Sequence, residues 1–460
     1  MNKFLLVAVS LVLASTAVGA QESRQATGVK VGEVTETTAI VWMRVTAKAA
    51  RNPDQKPPAE GEADVLNGAV PGAAGTVQLR YGTKADLSDA KSTEAIAVKA
   101  ENDFSHQFRL TGLKSGTIYY YSAETAGPQG MPKHAPLKGS FTTAPPANER
   151  TEVRFTVITG QAYKDLDHAD GFHIYEAMGK LKPHFLVPTG DTVYYDNDPP
   201  LATTTALARY HWQRMYGLPR HVAFHLNVPG YWEKDDHDAL DNDCWPARVS
   251  KKMLPMTFPE GQRIFREQAP VGEKLYRTFR WGKALQVWLV EGRDFRSPNN
   301  MKDGPGKTIW GAEQKKWLFE SIKGSDADWR VLVSPTPIVG PDRAGKGDNH
   351  ANVAFAHEGD EFRQWVKQNV PDNFFVACGD RHWQYYSVHP QTGVKEFSCG
   401  PASDQHSGGS PGENKDFHRF HRVKGGFLSV TAGPDGNRSR IVFRFHDVQG
   451  GVVHEYQQTR

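Results

Sequence analysis

The sequence predicts a layered α/β domain, two packed sheets flanked by helices, preceded by an all-β domain. Three observations carry this expectation. Residues 25 to about 145 hold short, partly alternating runs of strand-forming residues between turn-rich stretches. From 151 onward, apolar strand-like runs alternate with segments whose apolar residues recur at helical spacing. Three polar stretches each follow an apolar run, which puts them at strand ends: Gly190-Asp191-Thr192-Val193-Tyr194, Asp235-Asp236-His237-Asp238 and Gly379-Asp380-Arg381-His382.

Residues 1–20 read as a secretory leader. Lys3 gives a positive start, Phe4 to Leu13 a mostly apolar run, and Val18-Gly19-Ala20 a small-residue cleavage site before Gln21. That run is too short to span a bilayer, and no later stretch is long and apolar enough. No cysteine lies near the cleavage site to take a lipid. The expectation is export to a bacterial periplasm or beyond, with no stable membrane anchor.

Residues 21–147 form the predicted β domain. Thr38–Met43 and Val77–Tyr81 are strands, and the Ala-, Gly- and Pro-rich stretch 47–75 reads as a long exposed loop. Leu110-Thr111-Gly112-Leu113, a turn, and Ile118-Tyr119-Tyr120-Tyr121 resemble the late strands of a fibronectin type III (Ig-like) sandwich. Gly139–Thr143 is the last strand, and Pro145-Pro146 ends the domain because proline cannot continue a ladder.

Residues 148–460 form the predicted α/β domain. Strands are expected at 153–158, 184–187, 285–290, 329–333 and 373–377, and helices at 171–181, 311–323 and 358–369. Asp170 is placed to cap the first helix. Further β structure follows at 427–430, 441–445 and 452–454. The Pro- and Gly-rich run 400–412 reads as a mobile loop.

Charge is nearly balanced, with 55 Lys and Arg against 52 Asp and Glu, and no long basic cluster stands out. That excludes the usual electrostatic footprint of a nucleic-acid partner. Cys244, Cys378 and Cys399 are too few and scattered for a disulfide framework; one bridge with an odd thiol stays open, and free buried thiols are the preferred reading. The oligomeric state stays open.

The three polar stretches carry the chemistry. Carboxylates and imidazoles delivered to separate strand ends can converge on one point, where unpaired buried carboxylates are costly unless metal ions hold them. Asp191 can bridge two cations. Tyr194 is read either as a ligand or as packing under the loop. A phenol, with a solution pKa of about 10, ligates at neutral pH beside an ion as acidifying as ferric iron but not beside magnesium. Asp236 and Asn242 offer oxygen ligands, and His237 suits a general acid or a donor to phosphoryl oxygens. Asp238, Asp241 and Asp243 read as a solvated acidic turn. Asp380 and His382, two residues apart in an extended stretch, point the same way.

Gly-Asp-x-x-Tyr, Asp-Asp-His and Gly-Asp-x-His, in this order behind a β-sandwich, resemble the alkaline phosphatase D (PhoD-like) branch of the metallophosphatases. Glu291-Gly292-Arg293, Gly311-Ala312-Glu313-Gln314 and Trp329-Arg330-Val331 extend the likeness. The resemblance implies a two-sheet metallophosphatase fold and an iron ion beside calcium. It implies that Asp191 bridges, Tyr194 and His382 hold iron, Asp236 or Asn242 with Asp380 hold the divalent ion, and Arg293 joins His237 in catalysis. Two departures stand out. The family's Ser-Cys-Gln, whose thiolate binds iron, reads Thr159-Gly160-Gln161 here, so metal identity is open. The leader also lacks the family's arginine pair, so metal is expected to be acquired after export. Asp165, Asp167 or His168 in the loop following Gly160 could substitute for the missing thiolate ligand, although an ordinary solvated loop is the preferred reading. His406 is read as at most a rim residue, and Phe417–Arg422 equally as a contact for an anionic substrate or as an exposed basic loop.

The leading expectation is a metal-dependent hydrolase of small phosphomonoesters or phosphodiesters. The alternatives are a sulfate ester hydrolase on the same fold and a non-catalytic, metal-poor secreted binder of anionic glycans.

Overall fold

The computed structural model describes residues 22–57, 59–128 and 133–460; the leader assigned to residues 1–20 lies outside them. The amino-terminal part holds strands β1 (Lys30–Gly32), β2 (Ala39–Arg44), β3 (Gly75–Gly82), β4 (Lys91–Ser92), β5 (Ile96–Val98), β6 (Ser105–Leu110), β7 (Ile118–Ala126) and β8 (Leu137–Thr142). They form two antiparallel sheets ordered β1-β2-β6 and β4-β3-β7-β8, with β5 alongside β3. The sheets close on Val31, Val41, Met43, Val77, Leu79, Phe108 and Phe141. Alternation in β3 (Val77 and Leu79 in, Gln78 and Arg80 out) is the pattern of a half-buried strand. The stretch 47–75 is not simply an exposed loop. Leu66 and Ala69 are buried against Tyr210, since a long connection with apolar residues lowers its free energy by covering a neighbouring helix.

The second part is built on strands β9 (Val153–Ile158), β10 (Phe185–Pro188), β11 (Arg277–Trp281), β12 (Leu285–Leu289), β13 (Trp329–Ser334), β14 (Phe374–Cys378), β15 (Gln384–Val388), β16 (Lys395–Cys399), β17 (His418–Arg422), β18 (Phe427–Asp435), β19 (Arg438–His446) and β20 (Val452–Thr459). One mixed sheet runs β10-β9-β18-β19-β20 and the other β11-β12-β13-β14-β16-β15-β17. Their facing sides meet in an apolar layer that includes Phe155, Val157, Val287, Val331, Phe375, Leu428 and Val430, with Phe397 and Phe443 stacked at 4.0 Å between centroids. Within the stretch 417–422, read as substrate contact or basic loop, residues 418–422 are edge strand β17 with His418 buried.

Helices cover the outer faces: α1 (His173–Lys180), α2 (Thr205–Tyr216), α3 (Pro219–His225), the single turn α4 (Asp236–Ala239) and α5 (Phe258–Gln268) on one side, α6 (Gly311–Gly324) and α7 (Ala356–Asn369) on the other. Asp170 does not cap α1; the terminal N–H of His173 donates to Asp167 Oδ1 at 2.9 Å, and Asp170 is exposed. Asp167 lies in the preceding turn, where its short side chain reaches the helix end without chain reversal. Among the described residues no helix is long and apolar enough to cross a membrane. All three cysteines are free and buried.

The two parts share a backbone seam. The extended stretch 229–233 runs between β1 and β10: Gly230 N–H donates to Val31 O (2.8 Å), and Tyr231 N–H to Leu186 O (2.9 Å). This stretch leads directly into Asp235 and Asp236.

Candidate functional site

β10 and β14 both lead into Gly-Asp, Gly190-Asp191 and Gly379-Asp380. A Cβ on Gly190 would lie 2.4 Å from the Asp235 backbone nitrogen, and one on Gly379 would lie 2.1 Å from Thr189 Oγ1. Only glycine lets these strand ends approach so closely. Asp191 (φ 52°) and Asp380 (φ 59°) follow in the left-handed conformation, which aspartate adopts more readily than most residues. As a result Asp191, Asp235 and Asp380 each bring a carboxylate oxygen within 4.8 Å of the other two, and Asp191, Asp236 and His237 converge in the same way.

Asp191 Oδ1 and Asp235 Oδ2 are buried and accept no hydrogen bond among the described residues. Burial pushes the Asp191 carboxyl well above its ordinary range, and raises that of Asp235 against the pull of Arg293. Carboxylates placed so are expensive without a cation. A donor set of carboxylate, phenol and imidazole fits a hard or borderline metal ion, so the residues present match the metals that the motifs imply.

Tyr194 Oη donates to Asp191 Oδ2 (3.1 Å) and lies 2.8 Å from His406 Nε2. The His406 Nδ1 is 2.8 Å from Asp165 Oδ2. His382 sits beside this group, its ring centroid 4.1 Å from that of His406. Burial lowers the pKa of both imidazoles, so they stand neutral with lone pairs available.

On the other side, one oxygen each of Asp236, Asp243 and Asp348 lies within 4.8 Å of the others. Here the protein supplies the cations. Arg293 is fully buried, with Nε on Asp235 Oδ1 (2.5 Å) and Nη2 near Asp348 Oδ2 (3.4 Å) and Asp236 Oδ2 (3.7 Å). Lys346 pairs with Asp243 and Asp348. Burial alone would raise Asp236 and Asp348, yet these cations hold both below the carboxylate range.

The ring of His237 leans on Tyr194, with centroids 4.4 Å apart, and its Nδ1 meets Asp196 Oδ1 at 2.5 Å. Burial works against the imidazolium, but Asp236, Asp191 and Asp196 raise its pKa to about 10. Asp196 falls to about 2 although burial opposes it, because His237 and Lys252 hold its charge. His237 is thus a fixed positive donor with Nε2 left for an incoming oxygen.

The structure brings together Asp191, Tyr194, Asp236, His237 and Asp380, with His382 at the edge beside His406. Asn242 is different: it is exposed, and the hydrogen bond it makes is from its backbone N–H to Asp196 Oδ2 (3.2 Å). The neighbouring Asp243 joins Asp236 instead. Arg293 lies behind the carboxylates as their counter-ion. The solvated acidic turn is corrected too. Asp238 is buried and accepts from the N–H groups of Thr192 (2.8 Å), Val193 (2.9 Å) and Asp235 (3.0 Å), locking the first two motifs together. Asp241 is buried against Arg248.

Asp165 and His406 are bonded partners beside Tyr194 rather than a solvated loop and a rim residue, and residues 400–403 of the run 400–412 are buried. Sequence reasoning missed Asp235 as a metal-side carboxylate, Asp196 behind His237, and Asp348. Asp235 stood in a motif already singled out and Asp196 two residues past Tyr194. Asp348 had no apolar strand before it to mark it.

Residues 155–425 match the PhoD-like phosphatase family, and residues 12–145 match the PhoD-like phosphatase N-terminal domain. Alkaline phosphatase D of Bacillus subtilis (strain 168) is 24% identical over 276 residues, covering 53% of this chain and 45% of that relative, so the match spans under half of the relative's length. Among solved structures, PhoD superposes with a TM-score of 0.73 at 17% identity, covering 95% of this chain and 90% of that one. A purple acid phosphatase, PPD1 from yellow lupin (Lupinus luteus) seeds, superposes with a TM-score of 0.64 at 11% identity, covering 93% and 73%. The fold of two mixed sheets is therefore the metallophosphatase fold, and the chain belongs to the PhoD-like phosphatase family.

Proposed function

We propose that this protein is a metal-dependent hydrolase of small anionic phosphoric esters, mono- or diesters. The observation that carries the reading is the meeting of buried, unpartnered carboxylate oxygens on Asp191 and Asp235 beside the imidazolium of His237. Bound cations would supply charge neutralisation and an acidified water. By family likeness these are iron, held by Asp191, Tyr194 and His382, and calcium, held by Asp236 or Asn242 with Asp380. Asp235 and Asp243 suit the second set better than the exposed Asn242 does.

The chain's own groups do the remaining work. His237 binds a phosphoryl or leaving-group oxygen through Nε2 and releases its proton there, while Asp196 keeps the ring oriented and charged. Arg293 holds Asp235 and Asp236 in place from behind and stays off the substrate. The leader at 1–20 supports action in the periplasm or outside the cell. The sheet orders β1-β2-β6 and β4-β3-β7-β8 support a fibronectin type III kind of sandwich for the amino-terminal domain.

A metal inventory of the purified protein, taken with rates on a phosphate monoester, a phosphate diester and a sulfate ester, tests the reading. Tightly held metal and phosphate ester turnover are expected. A preparation without metal, or one that cleaves the sulfate ester alone, would reject it in favour of the metal-poor binder or the sulfatase.

A further inference from the structure

Two chain segments far apart in sequence are zipped together at the edge of the site. Thr159 bridges Pro401 in parallel, Ala402 N–H donates to Gly160 O (3.2 Å), and Ser403 Oγ donates to Asp165 O (2.7 Å). The 159–165 segment is tied in turn to the site, since Gln161 N–H donates to Asp191 O (2.8 Å) and Tyr163 N–H to Asp198 Oδ2 (2.6 Å). His406 rides on this support, with its side chain only 8% exposed.

Its position is set by what residue 160 lacks. A Cβ on Gly160 (φ 60°) would lie 3.2 Å from His406 Cδ2 and 3.1 Å from Pro401 Cβ. The imidazole therefore stands in the space that a side chain at 160 would enter.

Proton counting shows what the imidazole does there. Asp165 Oδ2 can only accept, so Nδ1 of His406 carries the hydrogen and Nε2 presents a lone pair. That lone pair, the Tyr194 oxygen and Asp191 Oδ2 surround a single proton, the phenolic one, at donor–acceptor separations of 2.8 and 3.1 Å. Two ligand atoms at right angles about an ion with bonds of ~2.1 Å lie about 3.0 Å apart, so the same three atoms suit one cation in place of that proton. The unpartnered Asp191 Oδ1 leaves a second lone-pair atom on the same carboxylate. A carboxylate fixing the far nitrogen of a ligating histidine is the usual support for such a ligand.

We propose that His406, oriented by Asp165, is a metal ligand that occupies the place left open by Gly160 and binds through Nε2 the ion shared with Asp191 and Tyr194. The proposal rests on the metallohydrolase reading above. Imidazole in place of a charged ligand makes this position suitable for a divalent borderline ion such as zinc.

The test measures metal rather than turnover. Wild type, His406→Ala, His406→Gln and Asp165→Asn are stripped with chelator, checked for folding by circular dichroism, and titrated with zinc(II) against a competing chromophoric chelator. Wild type is expected to take up at least two equivalents. His406→Ala should lose one equivalent or bind it about 100-fold more weakly, and Asp165→Asn should weaken the same equivalent about 10-fold. Glutamine can offer an oxygen near the Nε2 position, so His406→Gln should retain more affinity than alanine. If wild type binds zinc tightly and His406→Ala binds the same number of ions with the same affinity, this assignment falls while the hydrolase reading stands. If wild type binds none, both fall.

Discussion

The two ends of the acidic site are built from the same residue type and balanced in opposite ways. Around Asp236, Asp243 and Asp348, the protein brings its own cations, Arg293 and Lys346, into direct contact with the carboxylates. Among the described residues no arginine or lysine pairs with Asp191: a phenol and the imidazole of His237 stand beside it, and its Oδ1 has no hydrogen-bond partner. One end carries fixed counter-charges within the fold, whereas the other leaves a carboxylate oxygen open for an added cation. The distribution of arginine and lysine thus sets how much charge an added ion has to neutralise at each end.

Asp191→Asn attacks the unbalanced end, and turnover should fall by about 1000-fold or more. In the metal-free protein the same change should raise the melting temperature at neutral pH, because folding no longer has to protonate a buried carboxylate or bury its charge. The sign follows from linkage. The folded pKa of Asp191 lies above its unfolded value, so the metal-free fold binds the extra proton and loses stability as pH rises from the ordinary carboxylate range to the raised one. Thermal melts in chelator across that range should show a slope for wild type and a flatter line for the variant. If the variant melts lower at every pH, the contrast between the ends is wrong.

Arg293→Met attacks the balanced end. Three carboxylates lose their buried cation together, and urea unfolding should show a loss of about 3–5 kcal/mol. A variant as stable as wild type would mean that Arg293 serves the substrate instead.

Asp196→Asn should leave both ends intact and cost about 100-fold in kcat/KM. His237 then loses a carboxylate that lifts its pKa to about 10, so the alkaline limb of the pH–rate profile should move to lower pH. An unmoved limb would assign it to another group.

The smallest effect is expected from Lys346→Met. It removes contacts to Asp243 and Asp348 while Arg293 remains, and should cost about 1.5–3 kcal/mol, less than the arginine change in the same urea experiment.

The sheets and the site differ in how plainly the sequence shows them. The run Phe374–Cys378 is apolar on both faces because this central strand is buried on both, so its composition and length alone locate it. Gly-Asp at two strand ends likewise announces a close approach. Helices α2, α3 and α5 escaped notice, although Thr257 and Glu260 form a capping box that sequence can show. Their apolar positions are interrupted by buried polar residues such as His211, Gln213 and Gln268, which blur the helical pattern. Asp165, His406 and Asp348 were illegible for a different reason. Each is placed by hydrogen bonds between loops more than fifty residues apart, and nothing local in the chain encodes that contact.

The stretch 229–233 couples the amino-terminal sandwich to the chemistry. On the same border Lys30 is buried over the rings of Trp42 and Tyr216, and Trp42 Nε1 donates to Glu267 O (2.8 Å). The sandwich is thus no detachable module swinging on a hinge. Cutting the chain near Pro145 would strip one flank from the segment that delivers Asp235 and His237, and would leave Trp42 on one piece and Tyr216 on the other facing water. Domain transplants in this protein should carry the sandwich along.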